Sequence, residues 1–327
     1  MSSFSTTALA SGGKAVALSV IFGIALAFVP FLSIVAVPAM PIPVAYIASK
    51  QGMAAGLAAS VAAGAICVIL TGLYAGLLVF LLAAVVGGGI GLGLRKGISQ
   101  RNLFLSVAAL FTVALVLWAL VLLANAGLGP VTATQKLTDS ALVPARDMYI
   151  AIGMNEEEAQ SAANQAREFA EIIPYIIPAT LLVLSLALSG ATVTLARRAF
   201  DRLKQPFPRD YKFQNLRLHF SLAYLMIVGL LCELFAPYAP ESYRSAVNLT
   251  GMNLLIASEA LFFVQGLAIA NFFLNLYKVS RPKRIGVYLG LVLLQLMLSI
   301  TSWLGLFDTW IDYRRRFGRK KSQGQTG

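Results

Sequence analysis

The chain has 327 residues, of which 58% are apolar and only 12% are charged, and its net charge is +12. Because soluble domains carry about 25% charged residues, this composition excludes a soluble globular protein and predicts a polytopic membrane protein. The basic residues occur in blocks between apolar stretches, which is typical of cytoplasmic loops rather than of a nucleic-acid-binding surface. We therefore expect the lipid bilayer as the surrounding partner, and no nucleic acid.

In chain order, a short Ser/Thr/Gly-rich tail at residues 1–13 is predicted to be disordered, and the first span follows at residues 14–29. In this span Ser19, Gly23 and Ala27 recur at every fourth position and therefore share one helix face, where backbones can approach closely. Such a face either packs within the same chain or docks another membrane subunit.

Three prolines interrupt the second apolar segment, at residues 31–49. Because Pro38, Pro41 and Pro43 each lack a backbone N–H, they predict an extended or broken helix there. Two spans rich in Gly and Ala follow at residues 53–71 and 73–94. The glycine run at residues 87–93 lacks the ending of a phosphate-binding loop and lies inside a span, so close helix contact is our interpretation of it.

After a fifth span at residues 103–126, the longest polar segment covers residues 127–173 and holds seven acidic against three basic residues, which predicts the outer face. Within it, Asn155 precedes three glutamates, a pattern that predicts a helix start. Residues 155–171 are thus predicted to form a polar extracytoplasmic helix. It is either a solvated cover or a lid over a ligand site.

The chain is accordingly divided into a six-span unit at residues 14–196 with an insertion at 127–173, a basic cytoplasmic loop at 197–217, a three-span unit at 218–307 and a basic tail at 308–327. The fold class predicted is an all-α polytopic transmembrane helical bundle of about eight to nine spans. Both flanks of the final span are basic. Either the tail departs from the positive-inside tendency, or the last segment re-enters without crossing the bilayer.

The residues that stand out chemically are polar groups within the C-terminal spans. Glu259 lies near the middle of the apolar stretch 251–277, where a charge costs about 2.5–3.5 kcal/mol and normally faces a protein interior or a wet cavity. Glu259, Gln265 and Gln295 are the predicted lining of a small-molecule site; alternatively, the carboxylate is structural and is satisfied by neighbouring helices.

Catalytic and metal-binding groups are scarce in this sequence. His219 is the only histidine, and the two cysteines, Cys67 and Cys232, lie in separate apolar stretches. No nucleophile motif, dinucleotide fingerprint or metal-ligand spacing occurs. We therefore expect no catalytic residue, no metal and no cofactor, and we do not expect an enzyme.

Two resemblances bear on function. The segments EALFFVQGLAIANFFL at 259–274 and LGLFDTWIDYRRR at 304–316 resemble the YybS-like family of bacterial polytopic membrane proteins, over most of the chain. More distantly, the first span, the proline-rich turn at 37–43 and KQGMAAG at 50–56 resemble the substrate-capture (S) components of energy-coupling-factor transporters. That resemblance implies a small molecule bound between spans, and docking through Ser19, Gly23 and Ala27 onto a membrane coupling subunit driven by ATPases.

The leading hypothesis is a multi-pass protein of the bacterial cytoplasmic (inner) membrane that captures or transports a small molecule. The alternative is a non-transporting membrane scaffold that assembles envelope or division proteins through its basic cytoplasmic loops.

Overall fold

The computed structural model describes residues 6–209 and 213–317 of the chain. Within these ranges the protein is helical and contains no β-strand, which confirms the all-α prediction. The helices are α1 (Thr6–Phe28), α2 (Ser33–Ala39), α3 (Pro41–Gln51), α4 (Met53–Thr71), α5 (Leu73–Leu81), α6 (Gly88–Arg95), α7 (Gln100–Ala126), α8 (Pro130–Ala151), α9 (Glu156–Arg202), α10 (Leu222–Phe235), α11 (Glu241–Leu276), α12 (Arg281–Leu298) and α13 (Ile300–Ile311).

Contacts divide the chain into two compact units. The first comprises residues 1–171 and 184–211, and the second comprises residues 172–183 and 212–327. Residues 1–5, 210–212 and 318–327 lie outside the described part of the chain, and with them lie the start of the predicted N-terminal tail and the last basic cluster of the C-terminal tail.

Seven helices in the described ranges are long and apolar enough to cross a membrane, or eight if α12 and α13 are counted as one bent span. The upper number agrees with the lower end of the predicted range of about eight to nine spans. The predicted seventh span is short, since α10 has 14 residues and therefore a length of about 21 Å, against a hydrocarbon core of about 30 Å.

Apolar side chains cover the outside of these helices. Ile69 in α4 is 82% exposed and Met297 in α12 is 78% exposed. A soluble protein rarely exposes so much apolar surface, whereas lipid tails accept it without cost. The chain is therefore an integral, multi-pass membrane protein.

The N-terminal helix begins earlier than the sequence predicts. Helix α1 starts at Thr6, so residues 6–13 of the predicted disordered tail are helical and continue into the first span. Neither Gly12 nor Gly13 has a neighbouring atom within 4 Å of an added Cβ, which leaves this extension unpacked on that side.

Contrary to the prediction, the prolines leave the second segment helical, with only Met40 between α2 and α3. The N–H of Met40 still donates to the carbonyl of Ala36 at 2.8 Å, and Pro41 occupies the first position of α3, where a helix needs no N–H donor. Residues 33–51 consequently form one apolar stretch of 19 residues that is long enough to cross the bilayer.

The glycine run at 87–93 serves close helix packing, as predicted. A Cβ on Gly87 would lie 2.6 Å from the carbonyl oxygen of Pro41, and a Cβ on Gly91 would lie 2.4 Å from the Cβ of Ala48. Such distances are possible only for glycine, because any side chain would push the two backbones apart. These contacts bring α6 and the adjoining π-helical segment against α3 in the core of the first unit.

Helix α9 joins two elements that the sequence analysis separated. It starts as predicted, because Asn155 and Glu158 form a reciprocal capping box. It then continues for 47 residues to Arg202, so the predicted polar helix and the sixth span are one helix, and the basic loop begins later than residue 197.

Asn253 of α11 explains why the prolines of α9 do not end that helix. The N–H of Ala179 donates to the Asn253 side-chain oxygen at 3.3 Å, and the Asn253 amide donates to the carbonyl of Tyr175 at 2.7 Å. In a regular helix these two backbone groups would pair with each other. The asparagine therefore satisfies a backbone opened next to Pro178, within the second unit.

We expect Asn253→Leu to lower the free energy of unfolding by about 1–3 kcal/mol, because it leaves backbone groups without partners. The measurement is thermal unfolding of the purified protein in detergent. Asn271→Leu is the control, since Asn271 lies on the same helix and its side chain has no hydrogen bond to any described residue. Equal losses in both variants would contradict the role assigned to Asn253.

Candidate functional site

The junction between the last two helices, α12 and α13, lies beside the middle of α11. Ser299 takes the left-handed conformation (φ 51°, ψ 19°), and at this residue the chain turns by 96° from α12 into α13. The hydroxyl of Ser302, in the first turn of α13, donates to the backbone carbonyl of Glu259 at 2.8 Å. The break therefore lies at the level of Glu259.

From there α13 packs against α11, and the chain after it reaches the C-terminal end of α11. The contacts between them pair Ser302 with Glu259, Gly305 with Phe262 and, after α13 has ended, Phe317 with Phe273. Helix α12 starts just after α11 ends, and Arg284 near its start donates to the carbonyl of Leu274. Both ends of the α12–α13 segment thus lie at the C-terminal end of α11.

A segment that enters and leaves at the same end of a spanning helix does not cross the bilayer. Of the alternatives left open by the two basic flanks, this geometry favours re-entry at Ser299. Both flanks then lie on one side, in agreement with the positive-inside tendency. Irregular backbone at membrane depth is tolerated where it is buried in protein or lines a cavity, which makes this break a candidate site.

The two predicted amides hold helices together at this place. Gln265 is 1% exposed, accepts from the N–H of Leu218 and donates to the carbonyl of Gly305, both at 2.8 Å. The Gln295 side-chain oxygen accepts from the N–H of Ser302 at 3.0 Å and so caps the start of α13. Both side chains thus make hydrogen bonds between helical segments.

Glu259 differs from the two amides. Its side chain is half-buried, and its carboxylate has no hydrogen bond or ion pair with any residue in the described ranges. At about 100° per residue it shares a face of α11 with Gly266, whose position against Thr301 marks the side that meets α13. Of the three predicted lining residues, only Glu259 has a side chain without any hydrogen bond to a described residue.

The predicted docking face of α1 is covered by the chain itself. Ser19 is fully buried, and a Cβ on Gly23 would lie 2.6 Å from the Cys67 sulfur and 2.8 Å from a methyl carbon of Val79. Ala27 alone of the three is exposed. Since α4 and α5 occupy this face, Ser19 and Gly23 are unavailable to another subunit.

A second polar cluster, which the sequence analysis missed, lies at the end of α13. Asp308 and Arg314 form an ion pair whose side chains are 2% and 5% exposed. Arg314 also donates to the carbonyls of Gln214 and Leu216, each at 2.8 Å, and Asp308 accepts from the N–H of Tyr313 at 3.0 Å. The pair fixes the segment after residue 212 to the C-terminal end of α13.

An exposed pair lies beside the buried one. Asp312 accepts two hydrogen bonds from Arg217, at 2.9 and 3.0 Å, and its left-handed conformation (φ 45°, ψ 63°) ends α13. Both aspartates of the predicted basic tail are thus paired with arginines. Among the described residues, no group of three or more His, Cys, Asp or Glu side chains could hold a metal ion.

Comparison with family models gives a match over most of the chain. The model of the family described as "Predicted membrane protein (DUF2232)" matches residues 17–309 of this chain. The chain belongs to this family. The match agrees with the YybS-like resemblance of the C-terminal segments, whereas the resemblance to substrate-capture components of energy-coupling-factor transporters receives no support. No curated protein and no solved structure matches the chain.

Proposed function

We propose that this membrane protein captures or transports a small molecule across the bacterial cytoplasmic membrane, and that the Glu259 carboxylate binds it. The observation that supports this proposal is the half-buried carboxylate without a partner beside the α12–α13 break. A carboxylate in this position would select a molecule with a cationic or hydrogen-bond-donating group.

The combination of an intramembrane carboxylate and a broken helix has a physical rationale. Keeping an ionisable residue near the bilayer centre costs about 2.5–3.5 kcal/mol, so such residues mark solute and ion pathways. In secondary transporters, discontinuous helices meet near the midplane and form the binding site there. Helix α13 begins at the level of Glu259, which lies near the middle of the 36 residues of α11.

The test compares Glu259→Gln with Glu233→Gln. Both remove one negative charge, but Glu233 is exposed near the end of α10 and serves as the matched control. Small molecules that copurify with each full-length variant in mild detergent are identified by mass spectrometry. We expect Glu259→Gln to reduce the bound molecule about ten-fold or more, because a hydrogen bond to a charged group is lost, and Glu233→Gln to retain it.

A second experiment measures cation flux into proteoliposomes that contain wild type, Glu259→Gln or Glu233→Gln and are loaded with an ion-sensitive dye. Unchanged copurification and unchanged flux in Glu259→Gln would contradict the proposal. The scaffold alternative predicts a different result, namely that envelope or division proteins are recovered from native membranes with Glu259→Gln. It also predicts that they are lost when the exposed Arg197 and Arg198 are replaced by glutamine.

A further inference from the structure

One end of the second unit is strongly basic. It is the end at which α11 stops, α12 begins and α13 finishes, since Arg314 binds the carbonyl of Gln214 and Asn275 binds the Gln214 side chain. Eight basic residues lie there against two acidic ones, Asp308 and Asp312. The bases are Arg217, Lys278, Arg281, Lys283, Arg284, Arg314, Arg315 and Arg316.

Both aspartates are used internally, so part of the positive charge is left uncompensated. Asp308 is paired with Arg314, and Asp312 is paired with Arg217. Arg315 and Arg316 are exposed, and neither side chain has a hydrogen bond or ion pair with a described residue. The Nε of Arg314 is buried and also has no acceptor in the described part of the chain.

Two cavities lie among these arginines. One, of about 340 Å³, is lined by Asn215, Arg217, Phe272, Arg314 and Arg315. The volume would hold a phosphate group with part of a headgroup, and guanidinium groups bind phosphate oxygens with two parallel N–H donors.

The second cavity, also of about 340 Å³, shares Arg315 with the first. Its other lining residues are Trp310, Ile311, Asp312 and Arg316. An apolar wall beside free guanidinium groups suits a molecule that is anionic at one end and apolar at the other. Tryptophan is also enriched at the depth of lipid headgroups.

We propose that these two cavities form a binding site for the phosphate headgroup of an anionic phospholipid, held by Arg315 and Arg316. The site lies at the end of spanning helices that the positive-inside tendency places in the cytoplasmic leaflet, where basic pockets between helices bind anionic headgroups. A soluble phosphate would need the arginines but not the apolar wall, which is why the lipid is the better occupant. The proposal does not depend on Glu259.

The test measures lipid retained by the full-length protein after reconstitution in vesicles of equal parts phosphatidylglycerol and phosphatidylcholine, followed by extraction in mild detergent and native mass spectrometry. We expect wild type to retain phosphatidylglycerol in preference to phosphatidylcholine. Arg315→Gln with Arg316→Gln should weaken that retention about 25-fold, since each basic charge near an anionic surface contributes about five-fold.

Two control variants distinguish a specific binding site from a general effect of positive charge. Arg197→Gln with Arg198→Gln removes the same charge from another pair of adjacent exposed arginines and should leave retention unchanged. Arg315→Lys with Arg316→Lys keeps the charge but loses the paired N–H donors, so it should retain more lipid than the Arg315→Gln and Arg316→Gln variant and less than wild type. Equal losses in the two glutamine variants, or no preference in wild type, would overturn the proposal. So would full displacement of the lipid by inorganic phosphate, which would make the free anion the ligand.

Discussion

Replacing Asp308 by alanine should lower the free energy of unfolding by about 3–5 kcal/mol, because removal of one partner leaves the other as an uncompensated buried charge. Arg314 is 6% exposed and has no other acidic partner in the described residues. Arg314→Ala should cause a loss of similar size, since it also frees the carbonyls of Gln214 and Leu216. The measurement is thermal or denaturant-induced unfolding of the purified protein in one detergent.

The neighbouring pair provides a control of the same chemistry. Arg217 and Asp312 have side chains that are 57% and 30% exposed, so Arg217→Ala should cost about 0–1 kcal/mol. The double variant Asp308→Leu with Arg314→Met should be more stable than either single change, because it removes both charges and leaves neither unpaired. A loss in Arg217→Ala as large as that in Arg314→Ala would show that burial does not decide the effect.

This buried ion pair could not be predicted from the sequence. In a continuous helix, Asp308 and Arg314 would lie on different faces, because six residues at about 100° each do not complete two turns. They meet because Asp312 takes the left-handed conformation and ends α13 between them. No glycine or proline marks that position in the sequence, so the segment was predicted only as a basic tail.

Features that depend on residues close together in the chain, in contrast, were predicted correctly from the sequence. Asn155 with Glu158 predicted a helix start, and the glycines at 87–93 predicted close packing; both are observed. The apolar segments at 53–71, 73–94 and 103–126 predicted spans to within a few residues. Each of these features depends on residues close to one another in the chain.

The prolines, in contrast, were poor predictors of where helices end. Pro41 sits where a helix start tolerates it, and the backbone near Pro178 is completed by Asn253, 74 or 78 residues away in sequence. The candidate site shows the same limit. Glu259 was predicted from its burial cost alone. The contacts of Gln265 with Gly305 and of Gln295 with Ser302 depend on the break at Ser299, which has no sequence signature.

Helices α11 and α13 approach each other closely at two glycines. A Cβ on Gly305 would lie 1.9 Å from the carbonyl oxygen of Phe262, and a Cβ on Gly266 would lie 2.1 Å from that of Thr301. Both neighbours are backbone atoms, which cannot rotate away as a side chain would. Gly305→Ala and Gly266→Ala must therefore push the two helices apart, at a cost of about 1–3 kcal/mol or more.

Gly290→Ala is the matched control, because it lies on α12 and an added Cβ there has no neighbour within 4 Å. Alanine favours the helix over glycine by up to about 1 kcal/mol, so this change should stabilise the protein slightly. The same substitution is thus expected to change the free energy of unfolding in opposite directions at two positions of the α12–α13 segment, measured by unfolding in the same detergent. Because Ser302 and Gln295 hold the break beside Glu259 through this contact, Gly305→Ala should also reduce the copurifying small molecule, while Gly290→Ala leaves it unchanged. Retention of both stability and bound molecule in Gly305→Ala would show that α13 does not pack on α11 at this distance.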